Sequence, residues 1–190
     1  MKKLLIIFVL AILSSSCGSA FYLKENNSQT TGIDFSNGNW ILGNIEATSD
    51  IKEEFTNAVL DDFSKHLASR LKYYADDKNL LIPASVLLKP SKQAINNLKN
   101  GTNYDYYINI KCEDREVKSD KDLIESTYYT VLMTYARVHM EVYDLNSGEI
   151  VFSQTVRGSY NNHSGMNPKA ARKLIFGSYR KIFNEIESKS

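Results

Sequence analysis

The sequence predicts an α/β (α+β) fold: a single domain on one mixed sheet of about five strands that ends in an antiparallel meander, with two long helices and one short one. Three observations carry this expectation. Apolar residues recur every three or four positions from Ile51 to Tyr74 and again from Ala171 to Ile186, the spacing of an amphipathic helix. Apolar and polar residues alternate along 104–112, 127–143 and 150–157, the period of a strand. The order strand, helix, strand, helix, three strands, helix suits crossover connections first and hairpins afterwards.

The chain opens with Lys2 and Lys3, an unbroken apolar run from Leu4 to Leu13, then Ser14, Ser15 and Ser16 before Cys17. This is the layout of a secretory signal, too short to span a bilayer as a mature helix. With a cysteine directly after the small residues, it resembles a bacterial lipoprotein signal. The place three before the cysteine, usually leucine or another aliphatic, is Ser14, with Leu13 one further back. The resemblance implies that residues 1–16 are a signal peptide, that Cys17 is acylated (palmitate is the chain expected), and that the protein is lipid-anchored in the cell envelope. Gly18 rather than aspartate follows Cys17, which resembles sorting to the outer membrane, facing the periplasm.

Residues 17–38 are rich in Gly, Ser, Asn and Thr and hold no period, so they read as a lipidated flexible tether. About twenty such residues span roughly 25 Å root-mean-square. Phe21, Tyr22 and Leu23 within it either lie against lipid or pack back on the domain.

The single domain is then 39–190. Trp40 to Ile45 is a short strand. Ser49 or Asp50 opens the first long helix, with Glu53 and Glu54 in its first turn, where the dipole favours anions. Its stripe is Ile51, Phe55, Val59, Phe63, Leu67, Leu71 and Tyr74. Asp76 to Asn79 ends it. Leu80 to Ile82 is a short buried strand closed by Pro83. Ser91 caps the short helix, which carries Ala94, Ile95 and Leu98, with Gly101 placed for a left-handed end. After the strand at 104–112, residues 113–126 read as a charged loop. Asp144 to Gly148 is hairpin-turn chemistry between the last two strands. Asn167-Pro168 opens the final helix, whose stripe is Ala171, Leu174, Ile175, Ser178, Ile182, Phe183 and Ile186.

In the three late strands the even-numbered residues form the apolar set. The odd set collects Tyr107, Asn109, Lys111, Tyr135, Arg137, His139, Glu141, Ser153, Thr155 and Arg157. One sheet face is therefore core, and the other is wet or meets a partner.

Composition narrows the function. The chain holds 23 Lys and Arg against 22 Asp and Glu, and two of the cations, Lys2 and Lys3, lie in the signal. A near-neutral domain lacks the basic face that nucleic acid requires, so no nucleic-acid partner is expected. An apolar content of 43% supports a packed core. With Cys17 acylated, Cys112 has no intramolecular disulfide partner.

Several constellations have a catalytic reading and a plainer one. Asp62 and His66 share a helix face, but a metal needs a third ligand; the reading preferred for them is a solvated helix edge. Arg137, His139 and Glu141 alternate on one strand, which suits an acid/base row, cross-strand ion pairing or a contact surface. His163 lies in a loop. Ser159 and Ser164 lack a nucleophile elbow. Cys112 falls on the apolar parity of its strand, where a thiol is buried rather than reactive. No metal or cofactor is expected.

The hairpin Val142-Tyr143-Asp144-Leu145-Asn146-Ser147-Gly148-Glu149-Ile150-Val151-Phe152-Ser153, read with Tyr104 to Ile108 before it, resembles the periplasmic α/β domains of certain envelope lipoproteins. These are the lipoprotein activators of penicillin-binding proteins, the curli-secretion lipoproteins and the N-terminal domain of the Tol-system propeller protein. Relatives often have Thr-Gly and Trp where this chain has Ser147-Gly148 and Phe152. No functional residue is carried over. The expectation is a non-enzymatic adaptor or activator, lipid-anchored through Cys17, that binds a protein partner in the envelope through Tyr107, Tyr135, Arg137, His139 and Arg157. The alternatives are a subunit of a secretion or pore assembly, or a hydrolase using His139 and Glu141.

Overall fold

Trp40, Ile41 and Leu42 are buried on both faces of one strand, and the rest of the fold is arranged around them. The computed structural model describes residues 20–25, 29–30, 33–76, 80, 86–119, 131–161 and 168–188. Among these the strands are β1 (Phe21–Lys24), β2 (Gln29–Thr30), β3 (Trp40–Leu42), β4 (Leu71–Tyr73), β5 (Tyr106–Ser119), β6 (Val131–Asp144) and β7 (Glu149–Asn161). The helices are α1 (Ser49–Leu67), α2 (Lys92–Thr102) and α3 (Pro168–Glu187). The strand order is β1-β7-β6-β5-β3-β4, with β2 also on β7. β3 runs parallel to β4 and β5, and the remaining pairs are antiparallel, so the sheet is mixed as the sequence predicts.

From β3 the chain moves outward to β4 through α1, then back across β3 to β5 through α2. Crossovers of one hand that travel in opposite directions lie on opposite faces of a sheet. The two cores follow. On the even face, Trp40, Leu42, Ile108, Ile110, Val138, Met140 and Val142 pack under α1 and α3. On the odd face, Ile41, Tyr107, Tyr143 and Leu145 pack under Ile95 and Leu98 of α2, together with Val86.

The stripes predicted for the long helices hold. Ile51, Phe55, Val59, Phe63 and Leu67 of α1 are buried, as are Leu174, Ile175, Ser178, Ile182, Phe183 and Ile186 of α3. The two helices meet through edge-on rings, Phe55 on Phe176 and Tyr179 and Phe63 on Phe183, with centroids 5.2–5.3 Å apart. Truncating one such ring removes about 3–5 kcal/mol, a large part of a domain's net stability of about 5–15 kcal/mol.

Three local expectations are corrected. The first helix ends at Leu67, not Tyr74. Ala68 turns the chain with φ 50°, and Leu71 belongs to the strand parallel to β3. Leu67 and Leu71 point into the same core from different elements, so helical spacing ran on past the helix. The break is held by Arg70, whose guanidinium donates to the carbonyls of Phe35 at 2.5 Å and Gly38 at 3.1 Å. The left-handed residue ending α2 is Asn103 with φ 57°, not Gly101; the Ser91 cap holds, its hydroxyl accepting from the Ala94 N–H at 3.2 Å. The strand predicted to stop at 112 continues to Ser119. The strand read at Leu80 to Ile82 lies mostly outside the described residues.

A fourth correction concerns residues 17–38. Phe21–Lys24 pair with β7, and Ile33 and Phe35 are buried in the even-face core. These parts of the stretch are built into the domain. Tyr22 seats β1: its hydroxyl donates to the Lys173 carbonyl at 3.2 Å, and its ring lies where a side chain on Gly177 of α3 would stand.

Glycine inside a helix is worse than alanine by about 1 kcal/mol. In a Tyr22→Ala background, Gly177→Ala should therefore stabilise the protein by about that amount. In the wild type the same change should destabilise, because the new methyl group unseats Tyr22. Urea melts of the four proteins decide this; the same sign in both backgrounds rules out the seating.

Candidate functional site

The odd face of the sheet splits into a covered half and an open half. Over the covered half, residues 86–89 cross the sheet and are fastened by a polar row. Glu141, fully buried on β6, accepts from the Tyr143 hydroxyl and from the Lys89 N–H at 3.1 Å through Oε2, while Oε1 lies 3.0 Å from His139 Nε2. His139 Nδ1 contacts the Thr155 hydroxyl, and Asn109, also buried, donates to the Val86 carbonyl at 3.1 Å. Burial pushes the Glu141 carboxyl up, but the hydrogen bonds from His139, Tyr143 and Lys89 outweigh it and hold it below the ordinary carboxylate range. Burial, with Glu141 next to it, pushes the Tyr143 hydroxyl well above its usual range.

Beyond this row the face opens. A cavity of about 280 Å³ is lined by Glu25, Leu88, Lys111, Glu113, Arg137, His139 and Thr155. Glu25, directly after β1, is the hub. It takes a two-pronged contact from Arg137, 2.5 Å from Nε and 3.1 Å from Nη2, and lies 3.5 Å from Arg157 Nε. Arg137 also reaches Glu113 at 3.3 Å and stands 5.8 Å from the Tyr135 ring centroid. Lys111 pairs with Glu46 at 2.9 Å. Cation and carboxylate are thus matched across the open half.

The structure divides the predicted contact residues. Tyr107 is buried beside Tyr143 under α2, away from the opening, whereas His139 is held in the Glu141 row and shows only its edge to the open cavity. The correction has a plain cause: α2 crosses on this face, which period-two alternation does not reveal. Tyr135, Arg137 and Arg157 remain half-exposed and adjacent. The sequence reading left Phe21 and Leu23 between lipid and the domain without a strand to hold them, and it missed Glu25. The signal for that strand was the apolar-outward alternation Phe21, Tyr22, Leu23, hidden in a stretch of loop composition.

Among the other candidates, His66 lies 3.2 Å from Glu187 and Asp62 accepts from Lys65 at 2.6 Å. No group of three His, Cys, Asp or Glu among the described residues is placed to hold a metal ion. Cys112 is half-buried against the even-face core. Cys17, His163 and Ser164 lie outside the described residues. Among the described residues no helix is long and apolar enough to cross a membrane.

No protein-family model matches the chain, and no curated protein matches it in sequence. Among solved structures it is similar to a chain of the PelC dodecamer from Paraburkholderia phytofirmans, at 11% identity and a TM-score of 0.40, with 84% of this chain and 95% of that one covered. It is similar also to the hypothetical protein CT253 from Chlamydia trachomatis, at 12% identity and a TM-score of 0.42, with 80% and 95% covered. A third is lipoprotein GNA1162 from Neisseria meningitidis, at 11% identity and a TM-score of 0.41, with 78% and 99% covered.

Because the folded-state pKa of Glu141 is depressed, its stabilisation is present above the unfolded carboxyl value, near 4.5, and is lost as pH falls through the folded one. Glu141→Gln should cost about 2 kcal/mol at neutral pH, the scale of hydrogen bonds to a charged group. It should also flatten the decline in stability below about pH 4.5. Urea melts at pH 7 and pH 3 measure both; an equal acid loss in wild type and variant would remove Glu141 from the acid dependence.

Proposed function

We propose that this chain is a lipid-anchored envelope protein that works by binding, with Cys17 as its anchor and the open half of the odd face as its contact surface. The observation that carries this reading is the placement of Cys17: it follows a signal-like run and stands only four residues before Phe21, the first residue of a strand built into the sheet. Anchor and contact surface are therefore neighbours.

Two features support binding over the alternatives. Glu141 is occupied in fastening residues 86–89, its Oε2 accepting from the Lys89 N–H and the Tyr143 hydroxyl. A pore-forming hairpin needs one whole face for lipid, yet along Ile108, Ile110, Ala136, Val138, Met140 and Val142 the even face of β5 and β6 is covered by α1 and α3. A protein docked on the open half would make the chain an adaptor or activator, and Tyr135, Arg137 and Arg157 bring residue types that dominate such contacts.

Cys17→Ala should leave the protein unprocessed or release it from membranes, as read by fractionation and by the mass of the mature N-terminus. Normal processing and full membrane retention of the variant would overturn the anchor. A photo-reactive residue at Tyr135 should label an envelope component in native membranes, and the same residue at exposed Lys65 on α1 should not; equal labelling would remove the contact surface.

A further inference from the structure

The open half of the odd face carries an outward apolar patch. Phe21 and Leu23 are each 55% exposed, while Tyr22 between them turns onto α3. Strand alternation therefore sends Phe21 and Leu23 to the odd face. The register places Phe21 beside Ser159, which pairs with Tyr135, and Leu23 beside Arg157, which pairs with Arg137. Two rows thus run across β1, β7 and β6, one bearing Phe21 and Tyr135, the other Leu23 and Arg157. Arg157 is 41% exposed along its side chain.

The reach of the chain decides what meets this patch. Four extended residues span at most about 14 Å. An acyl chain on Cys17 therefore brings β1, the outer strand of the sheet, to the lipid–water boundary. Exposed Phe and Leu gain by entering that boundary.

We propose that Phe21 and Leu23 seat the β1 edge of the domain on the phospholipid bilayer that holds the Cys17 anchor, an inference that rests on the lipid-anchored reading and leaves Tyr135 and Arg137 to the protein partner. Phe21 and Leu23 enter the acyl boundary from the edge of the sheet. Arg137 and Arg157 are offset on this face by Glu25 and Glu113. The seating therefore depends on apolar contact and the lipid anchor together rather than on anionic lipid. It turns the α1 and α3 side away from the membrane.

The test uses full-length, lipidated protein in phospholipid vesicles, with single tryptophans placed by Phe21→Trp, Leu23→Trp and, on α1, Asn57→Trp. Trp40 is fully buried and supplies a constant background. Brominated lipids should quench the added emission at 21 and 23 several-fold more than at 57. If the protein floats with the vesicles but 21 and 23 are quenched no more than 57, the seating is overturned while the anchor stands. If the protein does not float, the lipid-anchored reading itself has failed. A photo-reactive residue at Phe21 in native membranes should yield lipid adducts; protein adducts in their place would overturn the bilayer as the occupant.

Discussion

Everything in this fold depends on covering β3 on both faces. A strand that is buried above and below must be apolar at consecutive positions, and Trp40, Ile41 and Leu42 are. The two crossovers meet this demand by leaving in opposite directions, which sends α1 to one face and α2 to the other. Once α2 lies on the odd face, polar groups beneath it need partners inside the protein. Glu141, Asn109 and Thr155 find them in residues 86–89 and His139. Among the described residues, the half of the sheet farther from β3 has no crossover above its odd face. There the odd face keeps its arginines, its carboxylates and its opening.

Much of this was legible, and the part that was not has a physical pattern. The stripes of α1 and α3 and the even-face core were readable because each depends on spacing within one element. Trp40-Ile41-Leu42 was readable as a strand, but its double burial was not, since that follows from strand order. Leu71 was misassigned because a residue four beyond Leu67 can reach the same core from a strand as from a helix. Ile150 was assigned to the even face with Phe152, whereas a bulge after Val142 pairs it with Tyr143 on the odd face. One extra residue in a strand reverses the side of everything beyond it.

The site followed the same division. Tyr135, Arg137 and Arg157 could be placed together on one face because period two is local. Tyr107 and His139 were misjudged because what covers them comes from elsewhere in the chain. Glu25 was overlooked, and Phe21 and Leu23 were left between lipid and the domain, because their partners, Arg137, Ser159 and Arg157, lie far away in sequence. A short edge strand in a polar stretch has little composition of its own to announce it.

That distance has a consequence for the order of events. Tyr22 donates to a carbonyl 151 residues downstream, and β1 pairs with β7. A chain threaded across a membrane from its N-terminus delivers β1 first and β7 nearly last. The β1 segment must wait, unpaired, until the last strand and α3 have arrived. The sheet is closed from its middle outward, and its β1 edge is sealed at the end.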